Sequence, residues 1–110
     1  MNILFICSRN QWRSPTGELV WRKAPDVSVR SAGTSPKANR TVNAKDIAWA
    51  DVIFVMEQKH KDRMKASFPA ALKYAKLHVL DIPDDYQYGD PELIELIKVG
   101  TEHIVGKARF

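Results

Sequence analysis

Five residues separate Cys7, the only cysteine of the chain, from Arg13. An apolar segment at positions 3–6 precedes the cysteine, and Ser14 and Pro15 follow the arginine at the start of a helix-like run. A turn between a strand and a helix can direct several backbone N–H groups at an anion, and an arginine adds a planar, two-pronged grip on phosphate oxygens. The same positive field favours the thiolate, which is the nucleophilic form of cysteine. The pattern therefore predicts a nucleophile in the floor of a phosphate-binding loop made of Ser8, Arg9, Asn10, Gln11, Trp12 and Arg13.

The competing interpretation is that Cys7 is only a small buried hydrophobe, as most lone cysteines at the end of a strand are. The strand before Cys7 and the Arg-Ser-Pro sequence after it favour the chemical interpretation. In this reading Ser14 is the N-cap of the following helix, and Pro15 is its first residue.

The composition is that of an ordinary globular protein, and the 110 residues are expected to form a single domain, 1–110. No apolar run is long enough to span a bilayer, so no membrane partner is expected. The three histidines are scattered without the spacing of a metal site, and neither a metal nor another cofactor is expected. One cysteine and no export signal favour a reducing, cytoplasmic location.

Apolar and amphipathic segments alternate along the chain. We predict strands at 3–7, 27–32, 52–56 and 77–80, and helices at 15–23, 41–50, 58–68 and from Pro91 to about Lys107, the last with Asp90 as its N-cap. This order predicts an α/β fold: a four-stranded, parallel, doubly wound sheet with helices on both faces and the phosphate-binding loop after the first strand. Ligands bind beyond the carboxyl ends of the strands in such sheets, and Cys7 lies at one of those ends.

Four ordered motifs make the chain resemble the low-molecular-weight protein tyrosine phosphatase family, in a short, bacterial-type form. They are the strand, C-x5-R-S-P loop and helix at 3–18, the Ser-Ala-Gly-Thr turn at 31–34, the Ala-Asp-strand-Met-acid segment at 50–57, and the Asp-Ile-Pro-Asp-Asp-Tyr-Gln segment at 81–87.

The resemblance implies a role for each matching residue. Cys7 is the implied nucleophile, Arg13 the phosphate clamp, Ser14 the hydroxyl that donates to the thiolate, and Asn10 the side chain that shapes the loop. Asp84 matches the acid that protonates the leaving oxygen, which a thiolate displaces poorly without a proton. Asp85 is the alternative acid, and all three aspartates of this loop are also typical turn residues.

The chain departs from the family pattern at three places. Arg9 replaces a loop glycine, and Trp12 replaces a second cysteine found in many relatives. The segment at 35–49 is much shorter than usual and lacks the aromatic wall beside the substrate. Trp12, Tyr86 and Tyr88 are candidates for a substitute wall, although aromatic residues near a loop often simply pack.

The expected function is a cysteine-dependent phosphomonoester hydrolase, similar to a protein tyrosine phosphatase, that works through a phosphocysteine intermediate. Its partner would be a phosphorylated substrate, either a phosphoprotein or a small phosphomonoester. The alternative is a non-catalytic regulatory module that binds phosphoprotein or RNA phosphates. Lysines 59, 61 and 65 have the spacing of a solvated helix face, and basic surface alone specifies no partner. Nucleic acid is therefore not the expected partner, although the sequence does not exclude it. Arsenate reduction is disfavoured, because one cysteine cannot pass on a disulfide.

Overall fold

The computed structural model describes residues 1–106, so the predicted end of the last helix at about Lys107 lies outside the described residues. Strands and helices alternate strictly along the chain: β1 (Asn2–Cys7), α1 (Arg13–Trp21), β2 (Ser28–Gly33), α2 (Ala44–Trp49), β3 (Val52–Val55), α3 (Gln58–Ser67), β4 (Leu77–Val79) and α4 (Pro91–Val105). None of these helices is long and apolar enough to cross a membrane.

The four strands form one parallel sheet in the order β2-β1-β3-β4, which confirms the predicted fold class. β1 and β3 are the central strands, and their apolar residues at 3–7 and 52–55 are buried. Both faces of a central parallel strand are covered, so a continuous apolar run is what such a strand requires. Cys7 pairs with Gly33 at the carboxyl end of the sheet.

Each face of the sheet has its own hydrophobic core. On one face Phe5 and Phe54 stack with ring centroids 5.5 Å apart, and Trp21 of α1 and Leu93 of α4 pack in the same cluster. On the other face Leu4, Ile6 and Ile53 meet Ile47 of α2 and Met64 of α3. The alternation of side chains along β1 divides its residues between the two cores and places Cys7 in the core that contains Phe5 and Trp21.

The starts of three helices can be compared with the capping residues that the sequence predicts. Asp90 caps α4 as predicted, accepting a hydrogen bond of 2.8 Å from the backbone of Glu92. The prediction that Ser14 caps α1 is wrong: the helix begins at Arg13, and its cap residue, Trp12, makes no capping side-chain bond. The hydroxyl of Ser14 instead turns into the interior. α2 begins at Ala44 rather than position 41, because a reciprocal capping box fixes its start.

Candidate active site

A shallow cleft opens at the carboxyl end of β1, at the place where a parallel sheet of this kind binds ligands. It brings together residues from the loop after β1 and from the loop after β4. Its lining consists of Cys7, Ser8, Arg9, Gln11, Trp12, Arg13 and Asp84. All of them were candidates on sequence, and all but Asp84 come from one seven-residue segment.

The loop after β1 is shaped by Asn10, whose φ of 52° places it in the left-handed region. Asparagine tolerates this conformation better than most residues, and a left-handed residue in a turn helps to aim successive N–H groups at one point. Asn10 is buried, and its side-chain amide donates to Ser14 Oγ at 2.9 Å and to Ser31 Oγ at 2.8 Å. Its carbonyl accepts from the side chain of Asn39 at 3.1 Å. The strained residue is therefore held by bonds at both ends.

Ser14 lies between this network and the thiol, with its Oγ 3.0 Å from Cys7 Sγ. The hydroxyl accepts from Asn10, so its own hydrogen is available to Cys7, and the other acceptor, the carbonyl of Ala32, is farther away at 3.4 Å. A hydroxyl that donates to sulfur stabilises a thiolate, both as a nucleophile and as a leaving group.

A short hydrogen bond of 2.5 Å joins Ser31 Oγ to Glu18 Oε1 and completes the network. The carboxylate can only accept when ionised, so Ser31 donates to it and is left to accept from Asn10. Because Ser31 must accept from Asn10, the Asn10 amide group presents its nitrogen to Ser31 and Ser14. Ser14 then accepts from Asn10 and can donate to Cys7.

Arg13 is 2% exposed, and its guanidinium is anchored at one nitrogen. Nη1 donates to Glu57 Oε1 at 2.5 Å and to the carbonyl of Ile82 at 2.8 Å. Both hydrogens of Nη1 are thus used, and the edge formed by Nε and Nη2 remains for a phosphate. Burial would raise the pKa of Glu57, but the hydrogen bond and the charge of Arg13, helped by Lys59, outweigh it and lower that pKa. Glu57 therefore stays ionised as the anchor.

Asp84 forms an ion pair with the other edge of Arg13, with Oδ1 3.6 Å from Nε. Its side chain is 57% exposed, so it is accessible to water and to a group bound in the cleft. Asp85 is exposed and does not line the cleft. Of the two aspartates, Asp84 is therefore the one that lies in the cleft beside Arg13.

The three candidate wall residues lie in different environments. Trp12 lines the cleft and is 38% exposed. Tyr86 packs against the hydrophobic core on the Trp21 side of the sheet, and Tyr88 is 52% exposed outside the cleft lining. Trp12 is thus the aromatic residue of the cleft itself.

Sequence reasoning gave no role to Glu57, His60, Ser31 or Glu18. Glu57 had a signal, since it follows the end of β3 at the same edge of the sheet as Cys7. His60 is fully buried and bonds Ser8, 52 residues away along the chain, which no spacing rule reveals. Within residues 1–106, no group of three His, Cys, Asp or Glu side chains could hold a metal ion.

Comparison with known structures identifies the fold. A low-molecular-weight phosphotyrosine phosphatase from Vibrio cholerae O395 aligns over 91% of this chain and 91% of its own, with 24% identity and a TM-score of 0.73. The tyrosine phosphatase Wzb from Escherichia coli K30, in complex with phosphate, aligns over 93% and 94%, with 23% identity and a TM-score of 0.74. The chain has the low-molecular-weight phosphatase fold.

Not all structures with this fold carry the same activity in their names. The YwlE arginine phosphatase from Geobacillus stearothermophilus covers 93% of this chain and 84% of its own, with 24% identity and a TM-score of 0.62. No protein-family profile matches the sequence, and no curated protein matches it either. The likeness therefore establishes the fold and leaves the substrate to the chemistry of the site.

Proposed function

We propose that this protein is a cysteine-dependent phosphatase that forms a phosphocysteine intermediate on Cys7. The observation that carries the proposal is the 3.0 Å contact between Cys7 Sγ and Ser14 Oγ in a cleft that also holds Arg13 and Asp84. In this proposal Cys7 is the nucleophile, Arg13 the phosphate clamp and Asp84 the acid. A purely phosphate-binding module has no use for a hydroxyl that stabilises a thiolate or for an acid beside the clamp.

In the first step the thiolate of Cys7 attacks phosphorus, and the bond to the leaving oxygen breaks. Protonated Asp84 gives its proton to that oxygen, while Arg13 and the loop N–H groups bind the remaining phosphoryl oxygens. In the second step water attacks phosphorus, the Asp84 carboxylate takes its proton, and the Cys7 thiolate leaves. Ser14 donates to sulfur at the start and the end of this cycle.

The substrate is proposed to be a phosphorylated protein or a small phosphomonoester. Arg9 and Trp12 line the cleft, and both side chains are exposed to solvent. A phosphorylated side chain could stack on Trp12 while a neighbouring acidic group meets Arg9. We also propose a cytoplasmic location, because a lone catalytic thiol needs reducing conditions.

Hydrolysis of para-nitrophenyl phosphate by the intact chain and by Cys7→Ser tests the proposal. We expect turnover by the intact chain and none by the variant, which should still bind inorganic phosphate through Arg13. Undiminished hydrolysis by Cys7→Ser would exclude the phosphocysteine route, and phosphate binding without any turnover would favour the binding module. Peptides carrying phosphotyrosine, phosphoserine or phosphoarginine then rank the substrates.

A further inference from the structure

The imidazole of His60 is buried at 0% exposure and forms hydrogen bonds through both ring nitrogens. Nδ1 lies 3.0 Å from the backbone nitrogen of Glu57, and Nε2 lies 2.8 Å from Ser8 Oγ. Glu57 anchors the phosphate clamp, and Ser8 lines the cleft next to the nucleophile. A single ring therefore connects two parts of the site that lie far apart in sequence.

The partner of Nδ1 determines where the ring carries its proton. A backbone N–H can only donate, so Nδ1 must accept from Glu57 and cannot carry a hydrogen. In the neutral ring the proton then sits on Nε2, which donates to Ser8 Oγ. The Ser8 hydroxyl accepts this bond, and its own hydrogen must point elsewhere.

The surroundings keep the ring neutral at pH 7. Burial, and next the positive charge of Arg13, lower the pKa of His60 to about 4. Lys59 acts in the same direction, while the carboxylates of Glu57 and Asp84 oppose it. The tautomer fixed by Glu57 therefore persists over the whole neutral range.

We propose that His60 is a positioning residue that holds the Ser8 hydroxyl as a hydrogen-bond donor to the bound phosphoryl group. The bond to His60 is the one side-chain hydrogen bond that the described residues give the Ser8 hydroxyl, so its hydrogen can be donated into the cleft, to water or to a bound anion. The proposal rests on the proposed function, because the acceptor is a phosphoryl oxygen of the substrate or of the phosphocysteine.

The same ring supports the clamp. By accepting from the Glu57 backbone, His60 fixes the first turn of α3, and the Glu57 carboxylate in turn holds Nη1 of Arg13. Loss of the ring should therefore weaken phosphate binding by two routes, of which the route through Ser8 is the larger because the Ser8 hydroxyl would donate to the anion directly.

The first test is nitrogen NMR of the histidine rings in the unmodified protein at pH 7. We expect His60 as the neutral tautomer with its proton on Nε2, and we expect that ring to respond when inorganic phosphate is added. A proton on Nδ1, or a charged ring at pH 7, would overturn the proposal without any variant having to fold.

The second test is a double-mutant cycle of Ser8→Ala and His60→Asn, with exposed His103→Asn of α4 as the matched control. The measurements are the dissociation constant of inorganic phosphate and kcat/KM for para-nitrophenyl phosphate. Each site variant should lose roughly tenfold to hundredfold in kcat/KM, the usual worth of a hydrogen bond to a charged group. In the Ser8→Ala background, His60→Asn should add no more than a few-fold loss.

Full additivity of the two losses would show that His60 does not act through Ser8, and an undiminished Ser8→Ala enzyme would show that Ser8 is no donor. If the protein binds phosphate but hydrolyses nothing, the proposed function fails. The phosphate dissociation constants still complete the cycle in that case, so the two proposals are tested separately.

Discussion

The free energy of unfolding should fall much less in acid for His60→Asn than for the intact chain. The folded ring has a pKa of about 4, below its ordinary value of 6.5. Between these two values the unfolded chain binds a proton that the folded chain does not bind. His60 therefore does not lower the free energy of unfolding above pH 6.5. That free energy falls as the pH drops from 6.5 towards 4.

The size of the effect follows from the shift. Each pKa unit corresponds to about 1.4 kcal/mol. The shift from 6.5 to about 4 therefore lowers the free energy of unfolding by about 3 kcal/mol at pH 4 and by about 2 kcal/mol at pH 5. The ring is 0% exposed, so water does not screen this cost. A loss of this size is a large share of the stability of a small domain.

Urea unfolding at pH 7 and pH 5 measures the effect, because the variant lacks the titrating ring and the carboxylates titrate in both proteins. The intact chain should lose about 2 kcal/mol more than His60→Asn between the two pH values. The control His103→Asn, at an exposed position of α4, should keep the acid sensitivity of the intact chain. Equal pH dependence in the intact chain and His60→Asn would refute the assignment of a buried, neutral ring.

Three further outcomes follow from the site and its backbone. Asp84→Asn should lower kcat on phenyl phosphates by roughly two to four orders of magnitude, with a smaller loss for very good leaving groups; if Asp85→Asn shows this pattern instead, the acid is the next residue. Gly33→Ala should lower the free energy of unfolding in urea by about 1–3 kcal/mol, because its Cβ would lie 2.5 Å from the Ser8 carbonyl oxygen. Gly100→Ala in α4 meets a movable leucine side chain at 2.9 Å, so it should lower that free energy by less. Peroxide should inactivate the enzyme by oxidising Cys7, bound phosphate should slow the loss, and long exposure should defeat rescue by reductants, since no second cysteine can trap the sulfenic acid; full rescue would contradict this.

The fold was predictable because its signals are local and repeated. The apolar run at 52–56 has the length of a strand, no amphipathic pattern and several β-branched or aromatic residues, which together favour a strand covered on both faces. The loop after β1 places a cysteine and an arginine at the two ends of a short turn whose backbone N–H groups can bind an anion. In both places residues that are adjacent in the sequence carry the whole signal.

The supports of the site were not predictable in the same way. Ser14 has the features of an N-cap, but a tertiary contact with Cys7 determines where its hydroxyl points. His60 lies in a basic segment that reads as a solvated helix face, yet its ring is buried against Ser8. Such pairings depend on how the sheet brings distant loops together, and no pattern within a window of sequence contains that information.

Trapping the covalent intermediate tests the central claim most directly. The protein is mixed with para-nitrophenyl phosphate, quenched in the first turnover, and digested for mass spectrometry. The account predicts one phosphoryl group on the peptide that contains Cys7, formed as fast as para-nitrophenolate is released and absent from Cys7→Ser. Rapid hydrolysis with no phosphoryl group on Cys7, or with the group on another residue, would contradict it.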